Sequence, residues 1–96
     1  MTTESLIDDV AVAAGVPRED AWRPIEQINC IGRAHTPNIN RIAALGLPIW
    51  QWIAKRHDMS YDELRAAARA GEVSDKMVFA AIEANIGGLA VSGAKS

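Results

Sequence analysis

The sequence has one cysteine, few aromatic residues, no excess of basic charge and no long apolar run. Cys30 is the only cysteine, so no disulfide can form within the chain, which is typical of a reducing compartment. No apolar run approaches the ~20 residues of a transmembrane helix. The N-terminus carries acids early instead of the basic and then apolar segments of a signal peptide. We therefore expect a soluble protein that begins inside a cell.

The charge and the composition narrow the class of protein and the class of fold. The formal net charge is −2 and the pI is about 5.6, so the basic excess of a nucleic-acid-binding protein is missing. The 96 residues suffice for one domain. Hydrophobic residues make up 49% of the chain and aromatic residues only 5%. This composition, rich in alanine, favours helices in close contact over strands.

Glycine and proline punctuate the chain at short intervals, and each interval predicts one short helix. Ser60 with Glu63 forms the sequence pattern of a capping box. Other expected boundaries are N-caps at Thr3, Thr36 and Ser74, and stops at Gly15 and Gly46. The sequence predicts an all-α fold in residues 1–90, a single compact domain of five to six short helices joined by tight Gly/Pro turns. Residues 91–96 are expected to form a flexible tail.

The second helical segment combines a proline with a predicted apolar face. Trp22, Ile25 and Ile28 recur at helical spacing and are expected to face the core. Pro24 is expected to kink or restart the helix, because it has no backbone N–H to donate. Cys30 is interpreted as a small buried hydrophobe, not a nucleophile.

Two of the three tryptophans, Trp50 and Trp52, lie two positions apart in a helix that Pro48 opens. At 3.6 residues per turn their side chains differ by about 200° around the helix. Ile53 adjoins both rings on a wide apolar arc. Periodicity therefore predicts one tryptophan in the core and one at the rim, without deciding which.

No group of residues in the sequence supports catalysis or metal binding. His35 and His57 stand apart from other ligand-type residues, so no metal site is predicted. His57 is expected to complement a helix C-terminus, and Asp8 with Asp9 a helix N-terminus. Neither a nucleophile–base pair nor a Gly-rich phosphate loop is present. We expect no enzyme activity, no cofactor and no small-molecule substrate.

Four basic residues are expected to cluster on the fourth and fifth helices: Lys55, Arg56, Arg65 and Arg69. Glu63 and Glu72 dilute this positive charge. We interpret the cluster as a solvated face.

The middle of the chain carries an ordered series of turns, caps and apolar positions. In order, the series runs through Gln27-Ile28, Gly32-Arg33, Ile39, Ile42, Gly46-Leu47-Pro48, Ile49, Trp50, Ile53, Ala54, Ser60, Leu64, Ala67 or Ala68, Gly71-Glu72-Val73-Ser74, Val78 and Ala81-Ile82. This series resembles a region of bacteriophage tail tape measure proteins, and the resemblance covers about residues 17–86. The sequence departs from the family at His57-Asp58, where the family often has glycine before the hydrophobic-serine cap, and also at Pro24 and Asn29-Cys30.

The resemblance implies a role for each tryptophan. Trp50 stands at a position that is apolar in the family, so it is expected in the core, where its deletion would cost about 3 to 5 kcal/mol. Trp52 stands at a variable position and is expected to be partly exposed.

The resemblance also implies a structural function. The chain is expected to be an excised domain of a longer, prophage-encoded tape measure protein that sets tail length in virion assembly. The implied partners are tail tube subunits and tail assembly chaperones. The implied locations are the bacterial host cytoplasm during assembly and the virion tail.

The predicted protein-contact residues are Trp52, Lys55 and Arg56, since interface anchors combine aromatic residues with arginine. The simpler interpretation is a tryptophan that is only partly packed at the surface.

An alternative function is a small helical DNA-binding or regulatory adaptor. The segment MSYDELRAAARAGEVS fits a helix-turn-helix, and AKRHD would supply phosphate contacts. The acidic pI argues against this alternative.

Overall fold

The computed structural model describes residues 3–90, and the predicted all-α fold is confirmed. The chain forms six helices between Thr3 and Ile86: α1 Thr3–Ala14, α2 Arg18–Ile31, α3 Thr36–Ala43, α4 Ile49–Arg56, α5 Tyr61–Ala70 and α6 Asp75–Ile86. Within residues 3–90 the only β-type pairing is a single antiparallel bridge between Arg33 and Ser74.

The six helices surround one hydrophobic core. The last helix, α6, packs against both α1 and α4, while α2 packs against α1 and α3. Each helix supplies buried side chains at a spacing of three or four residues, as an amphipathic helix requires. The largest fully buried side chains are Leu6, Ile7, Val10, Ile25, Ile28, Ile39, Ile42, Ile49, Ile53, Leu64, Val73 and Ile82.

Asp9 ties the first helix to the chain beyond the last one. Its side chain is only 2% exposed. Oδ2 accepts a hydrogen bond from the Gly88 backbone N–H at 2.9 Å, and Oδ1 accepts one from the Ala90 N–H at 2.9 Å. We call these two bonds the Asp9 clamp. The predicted role of Asp9 as a helix N-terminal charge is wrong, because it lies mid-helix and its partners are 79 and 81 residues away.

The turns that precede α3 and α6 lie side by side. Ala34 N–H donates to the Val73 carbonyl at 2.8 Å, and Asp75 N–H donates to the Gly32 carbonyl at 3.2 Å. This pairing brings His35 against Gly71, where an added Cβ would lie 2.8 Å from His35 Nε2. Gly71 also has a φ of 73°, a conformation that residues with a side chain seldom adopt.

We expect Gly71→Ala to destabilise the domain more than Gly15→Ala does. Gly15 has a similar φ of 67°, but no atom lies within 4 Å of its added Cβ. Gly15→Ala therefore measures the backbone strain alone, about 1 kcal/mol, whereas Gly71→Ala must also displace the His35 ring. Urea denaturation of both variants compares the two free energies of unfolding. Equal losses would show that the ring moves aside without cost.

Two of the predicted helix caps are confirmed, and the one before α3 is displaced by one residue. Ser60 Oγ accepts from the Glu63 N–H, and Glu63 Oε1 accepts from the Ser60 N–H, both at 3.1 Å. Ser74 Oγ accepts from the Met77 N–H at 3.2 Å. Thr36 is instead the first residue of α3, and Thr3 lies within α1 as far as the structure describes it.

His35 takes the N-cap position of α3 because a buried asparagine secures its backbone. The His35 N–H donates to Asn38 Oδ1 at 2.9 Å, which leaves Thr36 inside the first turn. Asn38 was not singled out in the sequence, where Thr36 offered the more familiar cap residue.

We expect Ser60→Ala to raise the pKa of the Glu63 carboxyl towards its ordinary value. The hydrogen bond from the Ser60 backbone N–H, followed by the bond to the Ser60 side chain, lowers that pKa. An alanine removes the side-chain bond but keeps the backbone N–H, so the pKa of Glu63 should rise only part of the way. An NMR pH titration of Glu63 measures the change, and Ser74→Ala, which removes a different cap, is the matched control. An unchanged Glu63 pKa in Ser60→Ala would contradict the prediction.

Three expectations for the second helix are corrected. α2 runs without a break through Pro24, so a helix restart there is wrong. The carbonyl that loses its donor belongs to Asp20, which lies exposed in the first turn. Trp22 is 45% exposed, not in the core. Cys30 is exposed, not buried.

The reason for these errors is the position of the buried stripe on α2. Ala21, Pro24, Ile25 and Ile28 face the core, so Trp22 projects about 100° to one side of Ala21. Ala21 is fully buried where α2 meets its neighbours, and a small residue permits close helix contact.

Candidate protein-contact site

α4 is a two-turn helix that positions most of the candidate residues. The turn before it contains Gly46, with a φ of 100°, and Pro48 is its N-cap residue. The core side of the helix consists of Ile49, Ile53 and Ala54. Of the two tryptophans, Trp50 lies beside residues of α3 and α5, and Trp52 lies beside residues of α6.

The prediction that Trp50 lies in the core is wrong. Its ring is partly buried and packs against the core from outside, and its indole Nε1–H donates to Asn40 Oδ1 at 2.9 Å. Ile49 and Ile53, one helical turn apart, already occupy the core positions. The prediction that Trp52 is partly exposed is confirmed, since it too is partly buried at the surface.

The three predicted contact residues lie together in one shallow cleft between α4 and α6. The cleft has a volume of about 310 Å³ and is lined by Trp52, Lys55, Arg56, Ala84 and Asn85. We call it the Trp52 cleft. Asn85 is oriented by a hydrogen bond from its Nδ2 to the Ala81 carbonyl at 2.8 Å.

A second and larger cleft opens between α3, α4 and α5. It has a volume of about 640 Å³, and we call it the arginine cleft; its lining residues are Thr36, Asn40, Trp50, Tyr61, Arg65 and Arg69. This volume lies within the range of about 300–1,000 Å³ that is common for ligand sites. The four basic residues expected in one cluster are thus divided between two clefts.

The arginine cleft carries only positive charge in its lining. Arg65 and Arg69 are exposed on consecutive turns of α5, and the Arg65 guanidinium carbon lies 5.7 Å from the centre of the Tyr61 ring. The ion pair found within residues 3–90 joins Arg18 to Asp8, and neither cleft arginine takes part in one. Both guanidinium groups are therefore available to an anion.

The sequence contained part of the signal for this cleft. Tyr61, Arg65 and Arg69 recur at four-residue spacing, which predicts one stripe along α5. Trp50, Asn40 and Thr36 join them only because α3 and α4 pack beside α5, and no local pattern predicts that meeting.

The remaining polar candidates lie elsewhere. His57 ends α4 as expected, and its Nε2 lies 3.1 Å from the Met77 carbonyl oxygen of α6. The Cys30 thiol donates to Glu26 Oε1 at 3.4 Å. That hydrogen bond is the main reason that the pKa of the Cys30 thiol is raised, which lowers its thiolate fraction at neutral pH.

Residues 3–90 contain neither a metal-binding cluster nor a membrane-spanning helix. Histidine, cysteine, aspartate and glutamate nowhere gather in groups of three or more that could hold a metal ion. None of the helices in this part of the chain is long and apolar enough to cross a bilayer.

Comparison with known proteins identifies no relative. No family model, no curated protein and no solved structure matches the chain.

Proposed function

We propose that this chain is a structural domain of a phage tail tape measure protein, with no catalytic role. In this proposal it folds as one helical unit of a longer chain and contacts other tail proteins during assembly. The partners are tail tube subunits and tail assembly chaperones, and the sites of action are the host cytoplasm and then the virion tail.

The residues on which the resemblance depends support this proposal because they are mostly the ones that hold the fold. Thirteen apolar residues of the series are buried: Ile28, Ile39, Ile42, Leu47, Ile49, Ile53, Ala54, Leu64, Ala68, Val73, Val78, Ala81 and Ile82. The Gly46-Leu47-Pro48 turn separates two helices, and the two serines cap the next two. A series made of buried apolar residues, turns and helix caps is what we expect of a segment that folds as one domain.

The observation that carries the proposal is the backbone at Asp58. This residue stands where tape measure proteins often have glycine, and its φ is 52°. Asp58 is the one residue other than glycine with a positive φ in the part of the chain that the structure describes. An aspartate here thus has the left-handed conformation that favours glycine, which supports the proposal because glycine is common at this place in the family.

The Trp52 cleft is the proposed contact surface for another tail protein. Trp52 offers a partly exposed ring, and Lys55 and Arg56 are exposed beside it. An aromatic side chain with arginine at its edge is a common composition for an interface anchor.

The experiment that tests the proposal asks which protein contains the segment. Antibody against residues 17–86 is used on purified phage particles, released by inducing the source bacterium, and on a particle-free lysate. A band far heavier than 10.3 kDa in the particles is expected. A band near that mass, confined to the lysate, would overturn the proposal.

One observation favours the alternative, a DNA-binding or regulatory adaptor. Each of the two clefts contains two positively charged side chains beside a tryptophan. Titration with duplex DNA at low salt tests it. Tight binding that weakens steeply with salt would favour the adaptor, since released counterions drive such binding.

A further inference from the structure

The arginine cleft consists almost entirely of hydrogen-bond donors around an aromatic floor. Arg65 and Arg69 each present a guanidinium group, which only donates. Asn40 uses its carbonyl oxygen to accept from Trp50 Nε1–H, so its amide nitrogen remains as a donor. The Thr36 and Tyr61 hydroxyl groups complete the polar lining.

This lining is suited to an anionic occupant with several acceptor oxygens. Guanidinium groups bind carboxylates in a planar, two-pronged geometry, and those charge-assisted bonds are the stronger ones. The Trp50 and Tyr61 rings would cover an adjoining apolar group. By contrast, the surface around the exposed Trp22 combines Arg23 with Glu26 and therefore shows no preference for one sign of charge.

The spacing of the two arginines sets the spacing of the anionic groups. Arg65 and Arg69 are four residues apart on α5, which corresponds to a rise of about 6 Å along the helix. Two carboxylates at i and i+4 on a partner helix have the same separation.

We propose that the arginine cleft binds an acidic segment of another protein, with two carboxylates about 6 Å apart and an apolar side chain on the same face. The inference rests on the protein-binding role proposed above. It does not require the parent protein to be a tape measure protein, so the particle experiment and the binding experiment can fail separately.

The charge around the cleft favours an acidic peptide over nucleic acid. The whole chain has a net charge of −2, and α5 carries Asp62 and Glu63 in its first turn, with Glu72 just beyond its end. A continuous row of phosphates would meet these acids, whereas a peptide places its carboxylates only opposite the arginines. Nucleic-acid affinity also depends on neutralising many phosphates, and this cleft has only two positively charged side chains in its lining.

The test uses a fluorescein-labelled, alanine-rich helical peptide with glutamates at i and i+4 and a leucine on the same face. Its matched control has glutamine in place of both glutamates. Fluorescence anisotropy is recorded with the wild-type chain, with Arg65→Gln/Arg69→Gln, and with Arg23→Gln/Lys76→Gln, whose residues line neither the arginine cleft nor the Trp52 cleft. Both double variants remove two positive charges from exposed positions, and circular dichroism verifies that each stays folded.

We expect the glutamate peptide to bind and the glutamine peptide to bind more weakly. Arg65→Gln/Arg69→Gln should weaken binding about tenfold or more, whereas Arg23→Gln/Lys76→Gln should leave it within about twofold. Three results would each overturn the inference. They are an absence of saturable binding up to about 1 mM peptide, equal weakening by both double variants, and tighter binding of a labelled single-stranded DNA oligonucleotide than of the peptide.

Discussion

Replacing Ile53 with alanine is expected to lower the free energy of unfolding by about 3 to 4 kcal/mol. Ile53 is fully buried on the core side of α4, and α4 packs against α5 and α6 as well as α3. The shorter side chain loses the transfer free energy of its methyl and methylene groups and leaves a cavity. Domains of this size have a total stability of roughly 5–15 kcal/mol, so the loss is a large part of the whole. Urea denaturation measures it.

Val12→Ala and Trp50→Ala are the matched comparisons for Ile53→Ala. Val12 is an aliphatic helix residue that is 50% exposed, and its replacement should change stability by less than about 0.5 kcal/mol. Trp50 is only partly buried, so its loss should cost about 1 to 2 kcal/mol. If Trp50→Ala proved as damaging as Ile53→Ala, Trp50 would be the core residue that the resemblance implies.

Asp9→Ala is expected to cost about 2 to 3 kcal/mol, because it removes both bonds of the Asp9 clamp at once. Hydrogen bonds to a charged group contribute more than neutral ones, and the carboxylate is buried with both acceptor oxygens in use. Hydrogen exchange should report faster exchange of the Gly88 and Ala90 amides, and thermal unfolding should report the loss of stability.

Asp8→Ala is the control for Asp9→Ala, since it removes the same charge one position away. Asp8 forms a surface ion pair with Arg18 at 2.8 Å, with both side chains about half exposed. Such pairs contribute about 0 to 1 kcal/mol. Equal losses in the two variants would mean that the buried carboxylate contributes no more than an exposed one.

The helix boundaries could be predicted from the sequence because they depend on neighbouring residues. A serine that caps an amide three residues on, as at Ser60 and Ser74, needs no information from the rest of the chain. The glycines Gly15 and Gly46 likewise end or separate helices through their own backbone conformation, without contacts from distant residues. These signals suffice for the fold class and for the number of helices.

The side chains that face the core were harder to predict than the helices that carry them. On α2 the buried stripe lies one position away from Trp22, and on α4 it lies one position away from Trp50. One position is a rotation of about 100°. Helical spacing favoured the wrong side of α2 at Trp22, and the family resemblance favoured the wrong side of α4 at Trp50. Which face is buried depends on the neighbouring helices, and periodicity does not contain their positions.

The candidate site could be predicted only where its residues share one helix. Trp52, Lys55 and Arg56 do share one, and the structure brings them into a single cleft. The arginine cleft takes its residues from three helices. The partners of Asp9 lie 79 and 81 residues away, a distance over which no spacing rule operates.

The Asp9 clamp also determines how the domain would respond to tension. Residues 3 and 90 bound the described chain, and the clamp joins positions 9 and 88–90. A force pulling these two points apart therefore acts on its hydrogen bonds before it reaches the interior. The two bonds would break first, and α1 would then peel away from α6 while the paired turns at Gly32–Ala34 and Val73–Asp75 still enclose α3, α4 and α5. Mechanical opening would thus begin at the two clamped segments and reach last the arginine cleft, which α3, α4 and α5 form.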